Sequence, residues 1–210
     1  EPMAKRVLFI SGWAGYPELF PHLGRHSFFV LPFVSHSQSG IKDLLRSHSW
    51  DIVLAWSLGA NLCLQNPGLI NTRHLVLVAP FLDFTRHTPV NGIQDMLNGL
   101  GRNPETTVRW FWRRCGIKSA PRIRQEDVKG LARGLEYLMQ PGPEHIGHQD
   151  MKFPATLVHA SRDRIVPRQA VLEVHAALGH GSFVSAPGGH FIAEERIWQI
   201  IHEQTGTKIF

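Results

Sequence analysis

Six short apolar runs punctuate this chain, and most are followed by a segment of helical periodicity. The runs cover residues 5–10, 28–33, 51–55, 74–79, 155–160 and 181–186. Helical patterns cover about 41–47, 58–65, 168–178 and 193–204. Short apolar strands alternating with helices require a sheet buried on both faces. The expected fold class is therefore α/β, a mostly parallel sheet of about six strands with helices on both faces.

The rhythm breaks after the fourth run. Between about residues 86 and 147 no good strand pattern occurs, only helical material. Asn103-Pro104 is a helix start, with proline at the first helical position. Val108, Phe111, Trp112 and Cys115 then recur at helical spacing, and a further helix from about Gln125 carries Val128, Leu131, Leu135 and Leu138 on one stripe. Pro141-Gly142-Pro143 stops it. The expected organisation is a core of residues 3–85 and 148–210, with a helical lid, 86–147, inserted after the fourth strand. Glu1-Pro2 ahead of Met3 reads as an expression remnant.

Charge is concentrated in that insertion. Residues 102–133 hold nine bases and three acids, +6 against a whole-chain formal charge of +5. The block either meets something acidic or is a solvated helical surface. No zinc-finger spacing, basic zipper or RNA-binding signature supports nucleic acid as that partner. Apolar residues at 43% and charged residues at 19% exclude global disorder. No apolar run is long enough to span a bilayer, and no secretory signal is expected. Two cysteines, Cys63 and Cys115, do not make a disulfide framework; a cytoplasmic, monomeric protein is expected.

The chemistry is carried by Ala55-Trp56-Ser57-Leu58-Gly59-Ala60, between an apolar strand and a helix. A nucleophile elbow needs that context: a tight strand-to-helix turn exposing a hydroxyl, with small flanking residues. Gly59 stands at the required spacing, and Ala55 where glycine is commoner. A serine nucleophile needs a base, and the base an orienting carboxylate. On this scaffold the chain order is Ser, Asp or Glu, then His. Asp163 follows the fifth run, and His190 follows the sixth in a glycine-rich turn. All three candidates fall at strand carboxyl ends, where open parallel sheets place their sites. The expected catalytic residues are Ser57, Asp163 and His190. The expected oxyanion donors are the amides of Leu58 and Trp13, the latter within Ser11-Gly12-Trp13-Ala14-Gly15. There is no Walker A loop, no His-Glu-x-x-His and no dinucleotide fingerprint. Cys63 lies on the helix after the elbow and reads as core.

At these residues the chain resembles the α/β-hydrolases, and within them the pimeloyl-acyl-carrier-protein methyl ester esterases of biotin synthesis, the BioH type. Ser11-Gly12-Trp13-Ala14-Gly15, Trp56-Ser57-Leu58-Gly59 and Asp163-Arg164-Ile165-Val166-Pro167-Arg168 carry the resemblance. So do insertion segments from Gly92-Ile93 to Leu100, from Thr107 to Phe111 and from Gly134 to Leu138. There are departures. Ser11 stands where histidine commonly precedes the oxyanion glycine, Ala55 replaces the first elbow glycine, and the usual first strand pair is missing.

The resemblance implies a serine carboxylesterase that frees the ω-carboxyl of a pimeloyl chain carried by acyl carrier protein. It implies no metal and no organic cofactor, and neither a nucleic-acid nor a membrane partner. Arg102, Arg109, Arg113, Arg122 and Arg124 would dock the acidic carrier. Trp13, Trp56, Trp110 and Phe111 would line the acyl channel. Two other readings remain: a generalist carboxylesterase or thioesterase on small acyl esters, and a non-catalytic protein of the same fold that binds an acidic partner.

Overall fold

The computed structural model describes residues 6–119, 121–143, 146, 151 and 153–206. Its strands are β1 (Val7–Ile10), β2 (Phe28–Val30), β3 (Trp50–Trp56), β4 (Thr72–Val78), β5 (Ala155–Ala160) and β6 (Ser182–Ala186). All pair in parallel, in the order β2-β1-β3-β4-β5-β6. The burial explains the sequence pattern. β1 and β5 are buried at every residue, which happens only when both faces of a strand are covered. β2 and β6, at the two edges, are only partly buried.

The helices are α1 (Leu23–His26), α2 (Gln38–Ser47), α3 (Leu58–Leu64), α4 (Val90–Arg102), α5 (Pro104–Cys115), α6 (Val128–Leu138), α7 (Arg168–Leu178) and α8 (Glu194–Thr205). Their ends follow local chemistry. The Asn103 side chain accepts from the Thr106 amide at 3.0 Å and Pro104 opens α5, while Gly116 closes it at φ 90°. Gly179 and Gly206 take the same left-handed conformation after α7 and α8.

The second strand is shorter than the apolar run 28–33 suggests. Phe33 takes φ 65° and its amide bonds the His36 carbonyl, so the chain turns out of the sheet after Val30. Pro32 has no amide to continue the ladder. α6 begins after a single 3-10 turn, Gln125–Asp127, rather than at Gln125. Lys5 and the expected boundary at residues 147 and 148 lie outside the described residues. α4, α5 and α6 occupy the chain between β4 and β5, and their buried side chains join the same apolar core as the sheet.

The sheet order places the site. The chain leaves β1 toward β2 on one side, and β3 lies on the other, so the order reverses there. Loops leaving β1 and β3 diverge at such a point and open a crevice at the carboxyl ends. Ser57 follows β3, and the loop from Ser11 to Gly15 follows β1. The two are held close by Gly59, since a Cβ there would collide with the carbonyl oxygen of Ile10. Gly59→Ala should therefore cost about 2 kcal/mol or more and lower the thermal midpoint by several degrees. Gly101→Ala, at a helical position with open space around it, should instead stabilise by about 0.5–1 kcal/mol. Thermal or urea denaturation of the pair checks both signs.

Candidate active site

β3 ends at Trp56, and Ser57 turns the chain into α3 with φ 54° and ψ −111°. Such a conformation costs a non-glycine residue about 1–3 kcal/mol. The bond from the Ser57 amide to the Val78 carbonyl, 2.8 Å, helps hold it, as does burial of the whole of α3. The turn lifts the hydroxyl above the sheet edge. Ala55, the departure from the usual glycine, is fully buried in β3, paired with Ile10.

The structure brings Ser57, His190 and Asp163 together. Ser57 Oγ lies 2.9 Å from His190 Nε2, and His190 Nδ1 lies 2.8 Å from Asp163 Oδ2. Asp163 Oδ1 accepts from the amides of Ile165 and Val166 at 2.8 and 2.9 Å, which fixes the carboxylate. An ionised carboxylate only accepts, so Nδ1 carries a proton toward Asp163, and Nε2, when unprotonated, presents a lone pair to the serine hydroxyl. Burial alone would raise the Asp163 carboxyl. Electrostatic attraction to the His190 ring and its hydrogen bond, with the Val166 and Ile165 amides, outweigh it and hold the group below its ordinary 3.8.

The indole of Trp56 is not among the residues that line the cavity beside Ser57. It lies beneath the histidine, 5.4 Å from the imidazole centroid, and its Nε1 donates to the His190 carbonyl at 3.0 Å. Trp56 is the last residue of a buried strand whose side chains alternate between faces, and this one faces the core. Trp13, Trp110 and Phe111 do line the cavity beside Ser57, which measures about 510 Å³. Phe81, Ile93, Met96, Leu135 and Leu138 complete an apolar wall, none of them read from the sequence as cavity-lining, though Leu135 and Leu138 stood on the apolar stripe of their helix. They come from α4, α6 and the loop after β4, where apolar periodicity marks a core face equally well.

Leu58 is the first residue of α3, so its amide has no partner within the helix. Trp13 sits on the loop that Ser11 closes, its Oγ donating to the Gly15 carbonyl at 2.7 Å. Three further bonds fasten this loop to the helical insertion. Trp13 Nε1 donates to Leu131, Trp112 Nε1 donates to Ala14, and Tyr16 donates its hydroxyl to Asp127, at 2.8, 2.9 and 2.9 Å. Asn61, one turn after the serine, accepts the Tyr137 hydroxyl at 2.8 Å. Cys63 is core, its thiol pushed up to about 12 by burial.

Arg102, Arg109, Arg113, Arg122 and Arg124 are all exposed. Arg102 ends α4, Arg109 and Arg113 lie on α5, and Arg122 and Arg124 precede the turn into α6. Arg109 pairs with Glu105, and Arg124 with Glu18 at 3.4 Å.

Because Asp163 is held below its ordinary value, its ionised form adds stability above about pH 4, lost as the pH falls through the lower folded value. The stability difference between the wild type and Asp163→Asn should therefore be larger near pH 7 than near pH 3. Urea titrations at both pH values check this, and a pH-independent difference would contradict it.

No protein-family model matches the chain, and no curated protein matches it significantly. Solved structures do match. An esterase from Exiguobacterium antarcticum superposes with a TM-score of 0.71 at 10% identity, over 96% of this chain and 91% of its own. A hydrolase from Pseudomonas aeruginosa gives 0.70 at 13% identity, over 98% and 91%. An α/β-hydrolase enzyme from a Medee basin deep-sea metagenome gives 0.64 at 13% identity, over 99% and 92%. With the six-stranded parallel sheet, these likenesses establish that the chain has the α/β-hydrolase fold.

Proposed function

We propose that this protein is a serine carboxylesterase, working through Ser57, His190 and Asp163 and an acyl-enzyme. The observation that carries the reading is the hydrogen-bond chain Ser57–His190–Asp163 at the floor of an apolar cavity. Ser57 Oγ attacks the ester carbonyl while His190 Nε2 takes its proton. Asp163 keeps the imidazole oriented and stabilises its charged form. The amides of Leu58 and Trp13 hold the oxyanion, each worth about 3 kcal/mol in the transition state. His190 then protonates the departing alkoxide, and a water activated by the same histidine hydrolyses the acyl-enzyme.

The specific substrate we propose is the methyl ester of a pimeloyl chain on acyl carrier protein. The resemblance in the elbow, the tryptophan loop and the insertion supports it. So does the run of exposed arginines from Arg102 to Arg124, which suits an acidic carrier. The small-ester or thioesterase reading shares the same serine, histidine and aspartate and differs in having no use for those arginines. A non-catalytic binder has no use for the aligned serine and histidine.

Hydrolysis of pimeloyl-acyl-carrier-protein methyl ester beside a short free ester separates these readings. The wild type should cleave the carrier-bound ester faster, and this advantage should shrink as salt rises. Ser57→Ala should lose at least about a thousandfold in rate while keeping its circular dichroism spectrum. Cleavage of the free ester alone would overturn the carrier assignment. Full activity in Ser57→Ala would overturn the esterase.

A further inference from the structure

The serine cavity is walled largely by aromatic and aliphatic side chains, and His87 and Thr88 make a polar break in that wall. Its other polar lining residues are Ser57, Asp163, Arg114 and Arg164. Neither His87 nor Thr88 takes part in the acyl transfer described above.

Both residues are held firmly. Buried Asp83 accepts from the Thr85 amide and hydroxyl at 2.8 and 2.6 Å, which caps the 3-10 turn Phe84–Arg86. The Phe84 carbonyl then accepts from the His87 and Thr88 amides at 3.2 and 3.0 Å. The His87 side chain is only 16% exposed, and its Nε2 lies 3.0 Å from Glu173 Oε2 on α7. The second oxygen of Glu173 accepts from Gln169, one turn earlier on the same helix, at 3.4 Å. The imidazole is thus pinned at one nitrogen by a helix of the core.

That pinning decides what the other nitrogen can do. A carboxylate only accepts, so Nε2 carries a proton, and in the neutral ring Nδ1 keeps a lone pair. Among the described residues, the side-chain polar atoms buried without a partner are His159 Nε2 and Arg196 Nε. His87 Nδ1 and the Thr88 hydroxyl also lack a protein partner but are not sealed in, so both stand open to a ligand. A carbonyl or carboxylate oxygen has no proton to give Nδ1. A hydroxyl donates to Nδ1 and accepts from Thr88 through one atom, whereas an alkyl end leaves both groups unpaired.

We propose that the cavity selects esters carrying a free hydroxyl at the end of an apolar chain, with His87 the specificity residue and Glu173 its positioning residue. The inference rests on the hydrolase reading above and adds a second substrate class to it, since a pimeloyl chain carries no hydroxyl. The apolar wall takes the chain, and the hydroxyl seats between His87 and Thr88 while the ester carbonyl meets Ser57.

The test uses two pairs of esters in which a hydroxyl replaces a methyl group. Methyl 6-hydroxyhexanoate with methyl heptanoate places the hydroxyl on the acyl side, and 5-hydroxypentyl acetate with hexyl acetate places it on the alcohol side. The wild type should favour the hydroxylated member of one pair by at least about tenfold in kcat/KM. In His87→Phe that preference should invert, because the wall is then apolar throughout, and in Glu173→Ala it should shrink. Each ratio is taken within one variant and is corrected internally for folding and turnover. Ser57→Ala, titrated by ligand-observed NMR, should bind the favoured hydroxy ester more tightly than its alkyl match. If it does so while the wild type cleaves none of the esters, the hydrolase reading falls and the hydroxyl site stands. No hydroxyl preference in either pair, a preference that survives His87→Phe, or equal or undetectable binding to Ser57→Ala would overturn the site.

Discussion

The first turn of α3 rests on the carboxyl end of β1, with Gly59 against the Ile10 carbonyl, and the position of Ser57 follows from that contact. A side chain at position 59 would push the helix away and relax the turn that holds Ser57 at φ 54°. The same contact brings the Leu58 amide toward the loop that carries Trp13. Gly12 and Gly15 serve that loop in a related way, because a Cβ on either would press into the Trp56 ring. Trp56 in turn holds the His190 loop through its indole nitrogen. One tight packing arrangement at the strand ends thus sets Ser57, His190 and the candidate oxyanion donors together.

The helical insertion is part of that arrangement. It bonds to the tryptophan loop through Leu131, Trp112 and Asp127, to the nucleophile helix through Tyr137, and to the histidine loop through the Cys115 carbonyl, which accepts from the Phe191 amide at 2.9 Å. Buried hydrogen bonds of this kind contribute about 0.5–1.5 kcal/mol each, and breaking one strands a partner at greater cost. Burial and the neighbouring Asp127 push the Tyr16 hydroxyl far above its ordinary range, so it stays protonated as the donor in its pair. Trp13 also meets Phe111 edge to face, at 4.8 Å between centroids. The cavity wall and the Ser57–His190–Asp163 floor therefore form one packed unit, with the serine already in place beneath the wall.

Much of this was legible in the sequence. The six apolar runs gave the sheet because parallel strands buried on both faces read as unbroken apolar segments. Ser57, Asp163 and His190 stood out because each follows such a run at a strand carboxyl end and their order along the chain is distinctive. The strand that stops at Val30 was not legible, since its ending depends on a backbone turn at Phe33 that composition does not mark. Trp56 was read as lining the cavity because aromatic side chains suit both core and ligand, and only the strand's facing distinguishes them. The polar break in the cavity wall was invisible for a different reason. His87 lies between β4 and α4 and Glu173 on α7, and only the fold brings the two together.

Under the proposed mechanism, Ser57, activated by His190, forms a covalent intermediate. Incubating the protein with a fluorophosphonate and locating the adduct by peptide mass spectrometry tests this directly. One stoichiometric adduct should form on Ser57, absent in Ser57→Ala and formed far more slowly in His190→Ala. No adduct on a folded wild-type protein, or labelling that does not depend on His190, would contradict it.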